Sequence, residues 1–252
     1  MRYLILSDLH ANDEALAAVL SKIKRKRIDR VVCLGDFVGY GADPNKVLSR
    51  FRALRRTTIA IRGNHDKVAC GMEDGESFTP PALAAATWTR QALSAENIEY
   101  LKRLPPGPGL VDGNFTVCHG SPLDEDGYIF SDHDAAPNFG FLLNLVPSLK
   151  LCFFGHTHIP SYFIYDGEEI TVQAVRKPHS KLVLEEGKSY LVNPGSVGQP
   201  RDRIAKASYA IYDSTTRTVA FERVAFDRVR ASEKIRRAGL PEMLATRLLQ
   251  GL

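Results

Sequence analysis

The sequence predicts an α/β fold, with a parallel sheet early in the chain and antiparallel strands later. Three observations carry this expectation. Residues 3–61 read strand–helix–strand–helix–strand, an order that implies parallel neighbours joined by right-handed crossovers. Residues 161–223 break into short alternating runs separated by turn residues. The composition, 44% hydrophobic and 25% charged, leaves enough apolar material to offset chain entropy.

The elements follow in order. Tyr3 to Leu6 is a short apolar run and reads as a buried strand. Asn12 can cap a helix to about Lys26, with Leu16, Val19, Leu20 and Ile23 on one face and a basic end suited to a helix C-terminus. A second strand spans Arg30 to Leu34. Pro44 opens a helix carrying Val47, Leu48, Phe51 and Leu54 inward, and β-branched Thr57 to Ile61 is a third strand. Ala82–Leu93 and Glu96–Leu104 read as two helices, the second closed by Pro105-Pro106-Gly107. They intervene before His119 and are expected to form a cap insertion over about 71–105, with Trp88 itself read as core. Strands return at Phe115–Cys118 and Leu151–Phe154. The runs from Tyr162 to Glu222 read as an antiparallel sheet, with hairpins at Asp166-Gly167 and Glu186-Gly187. A C-terminal helix over about 228–250 breaks near Gly239-Pro241. With no linker or repeat, residues 1–252 are expected to form one domain.

Several function classes are disfavoured. A net charge of +4, from 33 basic against 29 acidic residues, is too mild to point to nucleic acid. No apolar run approaches a membrane span, and Asp8 interrupts any signal-peptide core, so a cytoplasmic protein without a membrane partner is expected. Cys33, Cys70, Cys118 and Cys152 lie far apart with no CxxC pair, and three of them sit in apolar runs. They read as buried, reduced thiols.

Chemistry collects at the strand ends. The first strand ends in Ser7-Asp8-Leu9-His10, the second in Gly35-Asp36, and the third in Gly63-Asn64-His65-Asp66. Later ones end in His119-Gly120 and Gly155-His156-Thr157-His158. In an open α/β sheet the ligand lies outside the carboxyl ends of the strands. Carboxylate and imidazole delivered there suit divalent ions such as Mn²⁺, Fe²⁺ and Zn²⁺.

This set resembles the calcineurin-like metallophosphoesterases over about residues 1–200, in the family's motif order. It is most similar to the small prokaryotic branch, through Gly35-Asp36-Phe37-Val38-Gly39-Tyr40-Gly41 and Asn193-Pro194-Gly195-Ser196-Val197-Gly198. The resemblance implies a four-layer sandwich, two mixed β-sheets packed face to face and flanked by helices. It implies two divalent ions, Mn first, with Fe, Zn, Ni or Co as alternatives. Asp8, His10 and His158 would hold one, Asn64, His119 and His156 the other, and Asp36 would bridge them. His65 would face the substrate and assist the leaving group, oriented by Asp66, while a hydroxide between the metals attacks in line. Ala11 departs from the glycine that many relatives carry. The implied substrates are small phosphodiesters or phosphomonoesters, with nucleotides among the candidates.

Other readings stand beside these. Asp66 also fits a helix N-cap, and Arg201 reads either as a phosphate ligand or as a surface arginine. His133 and His179 read as surface histidines. A non-catalytic scaffold on the same fold, a nuclease or a protein phosphatase are the alternative functions. A nuclease would show salt-dependent binding to DNA or RNA. The chain is read as monomer or homodimer.

Overall fold

In the computed structural model, which describes residues 1–145 and 148–252, period-two alternation sorts strand side chains onto two packing faces. β1 (Arg2–Leu6), β2 (Arg30–Cys33) and β3 (Thr57–Ala60) are parallel neighbours. They are connected through α1 (Asp13–Ile23) and α2 (Pro44–Arg52). Asn12 caps α1 as expected, its Oδ1 accepting the Ala15 N–H at 3.0 Å. Next come α3 (Asn64–Cys70), α4 (Pro80–Ala92), α5 (Ala95–Arg103), β4 (Gly109–Val111) and β5 (Phe115–Val117). They are followed by α6 (Asp132–Leu145), β6 (Leu151–Phe153), β7 (Ser161–Tyr165), β8 (Ile170–Ala174), β9 (His179–Val183) and β10 (Ser189–Asn193). β11 (Ala207–Asp213), β12 (Thr218–Val224), α7 (Arg228–Arg237) and α8 (Glu242–Gln250) complete the order.

The strands form two six-stranded sheets, β3-β2-β1-β11-β12-β9 and β4-β5-β6-β10-β7-β8. Both are mixed. The first is parallel through β1–β3 and antiparallel beyond; the second is parallel at β5, β6 and β10. Tyr3, Ile5 and Val32 of the first sheet meet Phe115, Phe153 and Val192 of the second in a shared core. The Tyr3 and Phe115 rings pack edge-on at 4.9 Å. The alternate residues face outward onto helices. Leu4 and Val31 pack with Leu16 and Val19 of α1, whereas Cys152 and Leu191 pack with Phe139 and Leu142 of α6. Each such buried side chain contributes ~1.5–3 kcal/mol. The order of layers is therefore helix, sheet, sheet, helix, as the resemblance implied. No helix among the described residues is long and apolar enough to cross a membrane.

Two expectations are corrected. The strands from 161 to 224 do not make one antiparallel sheet. β7, β8 and β10 join the second sheet, whereas β9, β11 and β12 join the first. Glu186-Gly187 therefore turns no hairpin: β9 pairs with β12, and β10 lies between β6 and β7. Burial explains this, because β10 is buried along its length and needs a neighbour on each side. Second, residues 132–145, part of a stretch (121–140) expected as loop, form α6 despite Pro137 inside it; Asp134 accepts the Phe130 and Ser131 N–H groups at 2.9 Å at its start. As expected, the tail breaks near Gly239-Pro241, giving two helices, α7 and α8. They pack on α4 through Ile235, Leu244 and Leu248 against Ala82 and Ala85, with Trp88 half-buried beside them. Lys234 ties α7 to Glu14 of α1 and to Asp43 ahead of α2.

Candidate metal centre

Each sheet delivers its polar residues to the same rim. Asp8 and His10 follow β1, Asp36 follows β2, and Asn64 and His65 open α3 just after β3. From the second sheet, His119 follows β5, and His156 and His158 follow β6. The turns that expose these side chains are tight. Asp8, His10, Asp36, His156 and His158 have φ between 44° and 65°, the left-handed region that Asp and His tolerate better than most residues. Such backbone strain costs ~1–3 kcal/mol per residue and gathers where function requires it. Gly63 lets the chain pass beside Asp36, since a Cβ there would stand 2.2 Å from Asp36 Oδ1.

The donor atoms converge in two sets. Atoms of Asp8, His10, Asp36 and His158 lie within 4.8 Å of one another, as do atoms of Asp36, His119 and His156, so Asp36 belongs to both. Asn64 Oδ1 lies 3.1 Å from His119 Nε2, which adds it to the second set. Backbone carbonyls fix the imidazoles. His10 Nδ1 donates to Val38 at 3.0 Å, His119 Nδ1 to Leu34 at 2.8 Å, and His158 Nδ1 to Gln199 at 2.6 Å. With the proton on Nδ1, the neutral imidazoles of His10 and His158 present their Nε2 lone pairs. The Nε2 atoms of His10 and His158 then face each other at 3.1 Å, and His119 Nε2 faces Asp36 Oδ2 at 3.5 Å. Asp8 Oδ2 and Asp36 Oδ2 are buried without a hydrogen-bond partner among the described residues. Lone pairs converging on lone pairs, with carboxylate oxygens orphaned, is costly for the protein alone. A cation within each set removes the conflict, so these residues fit divalent metal ions.

The electrostatics agree. Burial holds the imidazoles of His10 and His158 well below their ordinary range and takes His156 down to about 3, keeping them neutral for coordination. Burial also pulls at His119, but the Asp36 carboxylate lifts it to about 10, marking a point where positive charge is favoured. Burial pushes Asp8 up to about 6. Burial acts the same way on Asp36, yet the surrounding imidazoles, His119 first, hold it well below the carboxylate range.

His65 stands beside these sets and in neither. Its backbone N–H donates to Asp36 Oδ1 at 2.9 Å, and its ring packs on Tyr40 at 4.3 Å, Phe78 at 4.5 Å and His10 at 5.0 Å. Its Nδ1 has no partner among the described residues, and burial takes it down to about 4. Asp66 does not hydrogen-bond His65, which corrects the expected orienting contact. Its buried carboxylate instead accepts the Val38 N–H at 3.2 Å and the Gly63 N–H at 3.0 Å. Asp66 is the third residue of α3 and reaches back to the N-cap Gly63 rather than being the N-cap. Arg201 is half-buried and donates to Gln199 Oε1 at 3.0 Å and to the Tyr40 hydroxyl at 3.2 Å. Arg203, His133 and His179 are exposed.

A cleft of 350 Å³ opens over the rim. Beyond Asp36, Asn64, His65, His156, His158 and Arg201, it is lined by residues that the sequence did not single out for the site: Tyr40, Glu73, Phe78, Asp126, Tyr128 and Arg247. Tyr128 stacks on His156 at 4.0 Å and on Phe130 at 5.3 Å. Arg247 had a signal in helical spacing: it stands three residues after Leu244 and one before Leu248, both buried.

Comparison with known proteins places this geometry. The model of the calcineurin-like phosphoesterase superfamily domain matches residues 1–217. An uncharacterized protein of Methanocaldococcus jannaschii is 37% identical over 255 residues, spanning 98% of this chain and 97% of that protein. The crystal structure of a metallophosphoesterase from Sphaerobacter thermophilus superimposes with a TM-score of 0.87 at 40% identity, covering 100% of this chain and 99% of the other. A hypothetical protein from Pyrococcus horikoshii, 22% identical with a TM-score of 0.81 over 100% of this chain and 98% of its own, shares the fold.

Proposed function

The chain belongs to the calcineurin-like phosphoesterase superfamily, and we propose that it is a dinuclear metal-dependent phosphoesterase acting on small phosphomonoesters or phosphodiesters. The observation that carries this reading is the pair of donor sets joined through Asp36, each with lone pairs turned inward. On this reading Asp8, His10, Asp36 and His158 hold one ion, and Asp36, Asn64, His119 and His156 hold the other. Two divalent ions, Mn first and Fe, Zn, Ni or Co as alternatives, would supply Lewis acidity toward the phosphoryl group and make water acidic enough to attack at neutral pH.

The chain's own groups do the remaining work. Carbonyl bonds at Nδ1 hold three imidazoles in one tautomer and orientation. His65 is neutral at pH 7, so its ring N–H donates a hydrogen bond to the leaving oxygen as charge builds there. Asp66 is a positioning residue: by holding the Gly63 and Val38 amides it fixes the turn from which His65 starts. Arg201 lines the cleft with a planar fork suited to a substrate phosphate. The segment from Glu73 through α4 forms the cap, lining the cleft with Phe78 and Ala82. A cleft of 350 Å³ holds a small molecule. Phe78, Tyr40 and Tyr128 give it the aromatic surface that a nucleobase or aryl group stacks on.

The test strips the full-length chain with a chelator and reloads it with each of the five ions. Release of 4-nitrophenol from 4-nitrophenyl phosphate and bis(4-nitrophenyl) phosphate is then followed. Two bound ions per chain and turnover of at least one ester are expected. His65→Ala should lose ~10²–10⁴-fold in turnover and keep both ions. Two bound ions without turnover of either ester under any loading would overturn the catalytic reading in favour of a scaffold.

A further inference from the structure

We propose that Arg247 and Arg201 together form a subsite for a second phosphate, so that the preferred substrate is a small molecule carrying two phosphate groups. This rests on the reading of the rim as a phosphoesterase centre and names the substrate class of that site. Arg247 lies on α8, beyond the residues 1–217 that the family model matches, so the subsite is an addition made by the tail.

Three observations support it. First, Arg247 and Arg201 line the same 350 Å³ cleft as Asp36, His65 and His158. α8 is fixed there by its apolar face, through Leu244 and Leu248. Second, neither guanidinium has an Asp or Glu partner among the described residues. Arg201 donates to neutral Gln199 and Tyr40, and Arg247 Nε donates to the Leu252 backbone oxygen at 3.0 Å, leaving its terminal nitrogens free to bind. Other buried cations are paired: Lys67 with Glu73, Glu125 and Asp126, and Arg223 with Asp202. Third, the two charges oppose each other. Burial and the neighbouring Arg201 both push the Arg247 guanidinium below its ordinary range. Two half-buried guanidiniums lining one cleft without an Asp or Glu between them are unfavourable until an anion arrives, and their planar forks match phosphate. The phosphoester at the rim and the second phosphate at α8 would be spanned by the substrate's uncharged part, beside Tyr40 and Phe78.

The test uses ligands that cannot be hydrolysed. Binding of alkane diphosphonates with two, three and four carbons, and of the matching alkylphosphonates, is measured by calorimetry on the Mn-loaded full-length chain. At least one diphosphonate should bind ~10-fold or more tightly than its monophosphonate, the gain of one charge-assisted contact. Arg247→Gln should cut that advantage to within ~3-fold, and Arg247→Lys, which keeps the charge but not the fork, should retain part of it. Arg228→Ala, at an exposed position of α7, should leave it intact. Equal binding of both ligand types by the wild type, or a full advantage in Arg247→Gln, overturns the subsite. Should the glutamine variant fail to fold, a full advantage in Arg247→Lys overturns the fork geometry equally. A chain that cleaves 4-nitrophenyl phosphate without a diphosphonate advantage loses the subsite alone. One that shows the advantage without cleaving any ester loses the catalytic reading alone.

Discussion

Gly39→Ala probes His65 without altering any proposed ligand. Gly39 has φ +87°, and a Cβ there would stand 2.4 Å from His65 Nδ1 and 2.9 Å from its Cγ. Ordinary contact begins at 3.4 Å, so the ring must retreat by roughly 1 Å. An L-residue in the left-handed region costs ~1–2 kcal/mol and an off-rotamer ring ~0.5–1.5 kcal/mol. The sum, about 1.5–3.5 kcal/mol, lowers Tm by roughly 3–14 °C for a chain of this size. A 1 Å misplacement of a catalytic group costs ~10²-fold in rate. Metal content should not change, because His65 belongs to neither donor set. The assay is thermal unfolding, metal analysis and 4-nitrophenyl phosphate turnover on the same preparation. Wild-type turnover with the expected Tm loss would refute the role of His65. Metal loss in step with rate loss would refute its independence from the donor sets.

Asp36→Asn keeps an oxygen to accept the His65 N–H but removes the charge shared by both sets. Metal analysis should fall from two ions to one or fewer, with affinity ~10–100-fold weaker; two ions held at wild-type affinity would exclude a bridging role. Lys234→Ala removes one of the two cations on Glu14 and loosens α7, although Arg230 still reaches Glu14 at 3.3 Å and Lys46 still reaches Asp43 at 2.9 Å. That change should cost ~1–2 kcal/mol, a Tm drop of roughly 3–6 °C, and an unchanged Tm would show the contact idle. Ala11→Gly relieves φ +50° but removes a buried methyl. The two effects, ~1–2 against ~0.8 kcal/mol, leave it within about 1 kcal/mol of wild type by denaturant titration. A loss above about 3 kcal/mol would mean that methyl packing dominates there.

The site was legible because its chemistry is written locally. Each donor follows a short apolar run directly, and a residue just past a buried strand must emerge at the sheet rim. The first half of the fold was legible for the same reason, since helix and strand periods alternate there without interruption and Asn12 caps α1 as its residue type predicts. What escaped depends on distant partners. The turn residues Glu186-Gly187 do not show that β9 and β10 part to different sheets; the unbroken apolar run Tyr190-Leu191-Val192 in β10 was the available clue. α6 was hidden by Pro137 and Gly140, both poor helix residues, and is held by packing of Phe139 and Leu142 on the second sheet. Asp66 was given the wrong contact because its adjacency to His65 says nothing of the Val38 amide that it meets through the fold. Arg247 and Tyr128 reach the cleft only through how α8 docks and how the segment after His119 returns.

β1 lies between β2 and β11, with Arg2 opposite Asp213. During synthesis, then, the strand that carries Asp8 and His10 waits for nearly the whole chain before its second edge is satisfied. Until β11 leaves the ribosome, β1 exposes an unpaired apolar border, the kind of edge that chaperones shield and that aggregates when they do not. The metal donors likewise straddle early and late halves of the nascent chain. On the proposed reading, neither donor set is complete before residues 156–158 have emerged, so a nascent chain shorter than that could not hold both ions in full.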